Sequence, residues 1–169
     1  WQYRQQRKAF KYHEIILPSE IHSPQQIVDA FVSKLTRKTK VVTFTELSNI
    51  SGLRMPTTAL CHAIHDYNAE IFVHVDGAQS LGCIDVNLET MDCDSFSSSC
   101  HKWFMGPRGT GLLYMNKKWA TRIWPSALGY DFLFDYPLDK LPESTKRFEC
   151  IGQRDVAAYG AIGDTVDIL

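Results

Sequence analysis

The sequence lacks both a long hydrophobic run and an excess of charge of one sign. No segment approaches the roughly 20 consecutive apolar residues that a membrane-spanning helix needs. The 18 Lys and Arg residues nearly balance the 19 Asp and Glu residues, so the formal net charge of the 169 residues is -1. Such a chain has no global field that attracts nucleic acid or an anionic membrane. We therefore expect it to bind neither, and any anionic ligand has to be held by local groups.

Paired cysteines are also missing. The five cysteines are odd in number and none of them forms a C-x-x-C pair, which speaks against a zinc ribbon and against a disulfide framework. His62 and His65 lie three residues apart, yet no Cys or carboxylate completes a metal-binding set around them, so no metal is expected. The basic start of the chain is not followed by an apolar segment, and we expect a cytoplasmic protein with reduced thiols.

The pattern that is present alternates short β-branched runs with longer amphipathic stretches. This is typical of β-α units, and it predicts an α/β fold with a central, mostly parallel sheet flanked by helices. The predicted strands are 14–17, 40–45, 71–75, 95–99 and 110–115. The first predicted helix begins at Ser23-Pro24. Two more predicted helices cover residues 57–68 and 155–169, and residues 119–148 are expected to form a long loop with one short helix.

Polar side chains follow three of the predicted strands. These residues are Asn49, then Asp76 and Gln79, then Ser99, His101 and Lys102. In an open parallel sheet, ligands bind beyond the carboxyl ends of the strands, where loops and helix starts converge. The spacing alone leaves two interpretations open: a ligand site, or an ordinary ion pair between Asp76 and Lys102 with turn-forming neighbours.

Four segments resemble the motifs of the class V aminotransferase family, which uses pyridoxal 5'-phosphate and includes cysteine desulfurases, selenocysteine lyases and isopenicillin N epimerases. They are HVDGAQS at 74–80, SSCHKWFMGPRGTGLLYM at 98–115, TELSNISG at 45–52 and RFECIGQRD at 147–155. The resemblance covers almost the whole chain in the expected order. It implies that residues 1–169 are an incomplete cofactor-binding large domain without the family's N-terminal segment and C-terminal small domain.

The resemblance implies a role for each matched residue around the cofactor. Lys102 matches the Schiff-base lysine, which would also move the α-proton of an amino-acid substrate. Asp76 matches the carboxylate that keeps the pyridine nitrogen protonated, and Gln79 matches the residue that bonds the phenolic oxygen. We expect Trp103 to pack behind the lysine and Cys100 to be structural.

The remaining matched residues lie around the cofactor phosphate and the ring. Ser99 and His101 match phosphate-contacting positions, and Asn49 matches a position near the ring oxygen and the substrate carboxylate. Gln153 stands where many relatives have a Thr whose hydroxyl reaches the phosphate of the neighbouring subunit. Because such sites are shared across a dimer, the resemblance implies a homodimer for the intact enzyme.

Two hypotheses of different classes follow. The first is a pyridoxal-phosphate enzyme, epimerase-like or desulfurase- and lyase-like, whose isolated 169-residue chain binds cofactor weakly and is inactive alone. Gly-Gln-Arg-Asp at 152–155 and the residues WFMGP after the lysine favour the epimerase-like branch. The second is a catalytically inactive fragment or pseudo-enzyme that acts as an interaction domain. A nucleotide-binding domain fits worst, since no glycine fingerprint follows the first strand.

Overall fold

The computed structural model describes residues 2–7, 10–126, 129, 144–149, 152 and 155–169. Its helices are α1 (Gln2–Arg7), α2 (Pro24–Val32), α3 (Thr57–Tyr67), α4 (Leu88–Met91), α5 (Lys117–Ala120) and α6 (Val156–Ile168), and Thr145–Phe148 forms a 3-10 helix. Its strands are β1 (Val41–Thr45), β2 (Phe72–Asp76), β3 (Ser95–Ser99) and β4 (Gly111–Met115).

The four strands form one sheet in the order β1-β2-β3-β4. The first three strands are parallel, and β4 runs antiparallel to β3. The predicted fold class, a mostly parallel sheet with helices packed against it, is therefore confirmed. Thr45 pairs with Asp76, and Asp76 pairs with Ser97, so the carboxyl ends of the parallel strands meet at one edge.

The hydrophobic core lies between one face of the sheet and helices α2 and α3. Alternate strand residues point into it because side chains along a strand alternate between the two faces. Phe31 of α2 contacts Phe44 of β1 edge to face, with ring centroids 5.5 Å apart. Other core residues are Ile27, Val42, Leu60, Ile64, Val73, Val75 and Phe96. The opposite face of the sheet, which we call the open face, carries Thr43, His74 and Ser97.

Local sequence signals account for the starts of the long helices. Ser23 is extended and Pro24 occupies the first helical position, as predicted. The last helix begins at Val156 because the side chain of Asp155 accepts the Ala157 amide at 3.0 Å.

One predicted strand is absent. Residues 14–17 form no strand, since no described strand pairs with them and Ile16 is 86% exposed. Helix α1 was not predicted, and the predicted strand 110–115 is present as β4, the antiparallel member of the mostly parallel sheet. Much of the predicted loop 119–148 lies outside the described residues, although its beginning contains α5.

The sequence argued against a membrane-spanning helix and against a disulfide framework, and both points can be compared with the described part of the chain. No helix there is both long and apolar enough to cross a membrane. Cys61, Cys83, Cys93 and Cys100 are free thiols. His65 lies between Asp92 and Asp94, with ring nitrogens 3.2 and 3.1 Å from their carboxylate oxygens, and so belongs to a polar cluster with these two carboxylates.

Candidate active site at the carboxyl edge of the sheet

The candidate site begins with the residues that end β2 and β3. Register pairs in neighbouring parallel strands point to the same face, so Asp76 shares the open face with Ser97 and with Ser99, two residues further along β3. Asp76 is exposed and Ser99 is partly buried. A carboxylate and a hydroxyl therefore stand side by side at the edge where ligands of parallel sheets bind.

The turn after β2 fixes the Asp76 carboxylate. One oxygen, Oδ1, accepts the Ala78 amide at 2.9 Å, and the main-chain carbonyl of Asp76 accepts the Thr45 hydroxyl at 3.2 Å. The next residue is held as well, because Ser98 Oγ donates to the Gly77 carbonyl at 2.8 Å. Among the described residues Oδ2 has no hydrogen-bond donor, so it is the oxygen that can accept from a ligand.

Gln79 and Trp103 join the loop after β2 to the loop after β3. The indole Nε1–H of Trp103 donates to Gln79 Oε1 at 3.0 Å, and the Trp103 side chain is half exposed. Trp103 was expected to be a packing residue, and this expectation was wrong. Because its oxygen is occupied, the Gln79 amide presents its NH₂ group, which can only donate.

The two loops also approach each other at Gly82. A Cβ atom built on Gly82 would lie 2.6 Å from the backbone nitrogen of Phe104 and 2.7 Å from the carbonyl carbon of Trp103. The loop after β3 is folded back on itself, since the Gly106 amide donates to the Cys100 carbonyl at 2.7 Å. Lys102 is therefore carried on a tightly packed loop directly beside the loop that carries Gln79.

Lys102 and His101 are both exposed on that loop. The alternative interpretation of an ion pair between Asp76 and Lys102 is not found: both residues are described, and they form no salt bridge with each other. Cys100 is fully buried, in line with its expected structural role.

Asn49 forms no hydrogen bond with this cluster among the described residues. Asn49 is exposed in the turn after β1, where Ser48 Oγ accepts the amides of Ile50 and Ser51. Gln153 lies outside the described residues. The structure thus brings five of the predicted site residues onto two adjoining loops and the strands that precede them: Asp76, Gln79, Ser99, His101 and Lys102. The cofactor groups that these residues contact stay a prediction.

His74 adds a titratable group to the open face beside Asp76. Its ring nitrogens lie 3.2 Å from Ser95 Oγ and 3.4 Å from Ser97 Oγ. Burial lowers the pKa of His74 below its ordinary value of 6.5, and the charge of Asp76 opposes this only in part.

This lowered pKa predicts how stability changes with pH. At low pH the folded state binds fewer protons at His74 than the unfolded state does. The contribution of neutral His74 to the free energy of unfolding is therefore complete above pH 6.5 and is lost as the pH falls below it. We expect His74→Gln to make the loss of stability between pH 7.5 and 5.5 shallower in urea denaturation. The control is His13→Gln at an exposed position, and equal slopes for both variants would contradict the prediction.

Comparison with known proteins places these residues in a family context. The family model for class V aminotransferases matches residues 5–169. Isopenicillin N epimerase from Amycolatopsis lactamdurans is 27% identical over 152 residues, which are 86% of this chain and 38% of that protein. Cysteine desulfurase from Synechococcus elongatus is 32% identical over 143 residues, which are 83% of this chain and 21% of that protein.

A solved structure shares the same fold. It is a mutant of C-DES with glycine covalently linked to the PLP cofactor, and it matches 83% of this chain and 38% of that chain with a TM-score of 0.74 and 24% identity. The chain therefore spans two fifths or less of the length of these relatives.

Proposed function

This chain belongs to the class V aminotransferase family, and on that premise we propose that it is the cofactor-binding part of a pyridoxal-phosphate enzyme acting at the α-carbon of an amino acid. The observation that carries the proposal is the arrangement at the carboxyl edge of the sheet. There the loop that follows Asp76 and the loop that carries Lys102 are joined by the hydrogen bond between Gln79 and Trp103.

The chemistry of these donors and acceptors fits the cofactor. Asp76 offers a free carboxylate oxygen for a protonated ring nitrogen, and Gln79 offers an NH₂ donor for a phenolic oxygen. Ser99 and His101 supply a hydroxyl and an imidazole for a phosphate dianion. Lys102 supplies the primary amine that an aldehyde requires.

Each residue has a distinct part in the proposed reaction. When bound, pyridoxal phosphate supplies a ring that accepts electrons from the α-carbon and so acidifies its hydrogen. Asp76 would keep a proton on the ring nitrogen, without which this electron sink weakens. Lys102 Nζ would hold the cofactor and would serve as the base that takes and returns the α-proton of the substrate.

The proposal includes two types of overall reaction, epimerisation and cysteine desulfuration or a related lyase reaction. Relatives with both kinds of name are similar to this chain, at 27% and 32% identity. We also propose a homodimer for the intact enzyme and a cytoplasmic location. The homodimer rests on the family resemblance, in which sites of this kind are shared between two subunits, and the cytoplasmic location rests on the unpaired cysteines of the sequence.

The experiment that tests the proposal is reductive trapping of pyridoxal 5'-phosphate on the chain. Borohydride fixes even a weakly held lysine adduct, and peptide mass mapping then identifies the labelled residue. We expect saturable labelling at Lys102. If no lysine is labelled in a saturable manner, the enzyme proposal is wrong, and the alternative of a non-catalytic interaction domain is favoured.

Trp103→Phe tests the role of the Gln79 amide in holding the cofactor. The ring remains, but the loss of Nε1–H leaves the amide free to turn its oxygen towards the cofactor oxygen. Loss of one oriented hydrogen bond is expected to weaken the apparent cofactor affinity by about 3- to 10-fold. The measurement is the fraction of Lys102 labelled as the cofactor concentration is raised.

The matched control is Trp119→Phe. Trp119 Nε1 is buried and has no hydrogen-bond partner among the described residues, so the same substitution there removes no hydrogen bond of the described structure. Equal labelling curves for Trp103→Phe and the wild-type chain would show that the indole does not orient Gln79.

A further inference from the structure

His74 is a titratable side chain beside the candidate site, and the proposed reaction assigns it no part. It lies two residues before Asp76 on β2, so both side chains point to the open face. Alternate residues of a strand are roughly 7 Å apart, a distance at which two charges still interact. The His74 ring is half-buried, and the Asp76 carboxylate is exposed.

Hydroxyl groups are the hydrogen-bond partners of the His74 ring. Its Nδ1 lies 3.2 Å from Ser95 Oγ and its Nε2 lies 3.4 Å from Ser97 Oγ, while Thr43 is its register neighbour on β1. A hydroxyl can donate or accept, so these partners satisfy the ring whether it carries one proton or two. They supply no charge, and the residues that β4 adds to this face are apolar: Leu113 and Met115.

The protonation of His74 is therefore set by burial and by nearby charged groups. Burial lowers the pKa of His74, whereas the charge of Asp76 acts in the opposite direction. Lys102 and His101 are exposed on the loop after β3, and in the described chain they form no salt bridge with either residue. Asp76 is thus the only acid of the described chain whose charge acts on His74.

The charged groups at the other end of the open face are paired among themselves. Trp119 of α5 contacts Phe72, which begins β2, with ring centroids 5.2 Å apart. Lys118 and Arg122 lie over the indole of Trp119, and both form ion pairs with Glu70. This cluster leaves the pair of His74 and Asp76 as a separate electrostatic unit.

Asp76 is also the residue whose Oδ2 can accept from a protonated ring nitrogen of the cofactor. A proton on His74 would weaken the attraction between Asp76 and that nitrogen, because one carboxylate would then face two cations. A cation bound at Oδ2 would weaken the attraction between Asp76 and the His74 proton in the same way. By thermodynamic linkage the two effects are equal in size.

We propose that His74 makes cofactor binding at Asp76 depend on pH: neutral His74 leaves the full charge of Asp76 to the ring nitrogen, and protonated His74 competes for that charge. His74 acts through Asp76 and is thus a positioning residue. The inference rests on the proposed function. It adds a regulation of that site, because the affinity for the cofactor falls as the pH falls through the titration of His74.

The first test needs no cofactor. Nuclear magnetic resonance of the histidine-labelled chain follows the titration of His74, and His74→Gln identifies its signal. In the Asp76→Asn chain we expect the proton affinity of His74 to fall about threefold, as for two charges about 7 Å apart in water. Asp66→Asn, at an exposed position on α3, is the matched control and should leave the titration unchanged. An unchanged titration in the Asp76→Asn chain overturns the proposal.

The second test uses pyridoxal phosphate. Labelling of Lys102 is titrated with the cofactor at pH 7.5 and pH 5.0, with cyanoborohydride as the reductant, and circular dichroism verifies that each chain is folded. Imine formation itself changes with pH, so the chains are compared by the ratio of apparent affinity at pH 7.5 to that at pH 5.0. We expect this ratio to be about threefold smaller in His74→Gln, since Gln does not titrate. His13→Gln, at an exposed position, should keep the wild-type ratio.

The outcomes distinguish this inference from the proposed function. Absence of saturable labelling at Lys102 in the wild-type chain overturns both. Saturable labelling with equal ratios for the wild-type and His74→Gln chains overturns only the coupling through His74, and the proposed function stands.

Discussion

Lys102→Ala is expected to abolish reductive trapping of pyridoxal phosphate on this chain. Borohydride labels only a lysine whose amine has condensed with the aldehyde, and the site presents Lys102 on the loop beside Gln79, at the edge that also carries Asp76 and Ser99. Without that amine the proposed site could hold the cofactor by hydrogen bonds alone. We expect labelling to fall by more than about tenfold, to the level of nonspecific surface lysines.

Two further variants distinguish covalent attachment of the cofactor to Lys102 from electrostatic attraction between the anionic cofactor and a positively charged side chain. Lys102→Arg keeps a positive charge but has no primary amine, so it should lose labelling as completely as the alanine variant while retaining more of the noncovalent affinity. Lys34→Ala, at an exposed lysine just after α2, should be labelled at Lys102 like the wild-type chain. Saturable labelling of another lysine in the Lys102→Ala chain would show that Lys102 is not the cofactor lysine.

Local signals in the sequence predicted most helices and strands because several signals agree at the same residues. Ser23 and Pro24 mark the start of α2, and apolar residues at helical spacing follow them. The strand 95–99 was predicted at its observed bounds even though it is rich in serine and less apolar than the other strands. Such features depend on neighbours within a few residues, which a sequence displays directly.

Contacts between distant residues were not predictable in the same way. Trp103 and Gln79 are 24 residues apart, and nothing in either loop indicates that an indole will donate to that amide. The buried state of Glu46 is similar: its residue type favours exposure, and its burial depends on segments distant in the sequence. The family resemblance predicts which polar residues form the site, but the loop packing that positions them appears only in three dimensions.

Gly82→Ala is expected to have the largest effect on the stability of the site. Gly82 has φ +79°, and an added Cβ would lie 2.6 Å from the Cα and the amide nitrogen of Phe104. These are backbone atoms, so no side chain can turn away to make room. The loop that carries Gln79 and the loop that carries Lys102 must separate, which breaks the hydrogen bond between Gln79 and Trp103.

Gly109 is a matched control that separates the cost of backbone strain from the cost of overpacking. It has nearly the same backbone angle, φ +80°, and no atom lies within 4 Å of its added Cβ. Gly109→Ala should cost only the strain of a left-handed residue, about 1 kcal/mol. Gly82→Ala should cost that strain and the overpacking as well, about 3 kcal/mol or more in all. Urea denaturation measures both losses, and cofactor labelling at Lys102 should fall only for Gly82→Ala. Equal losses in the two variants would mean that the close approach of the loops contributes nothing, and that the site is held together by some other contact.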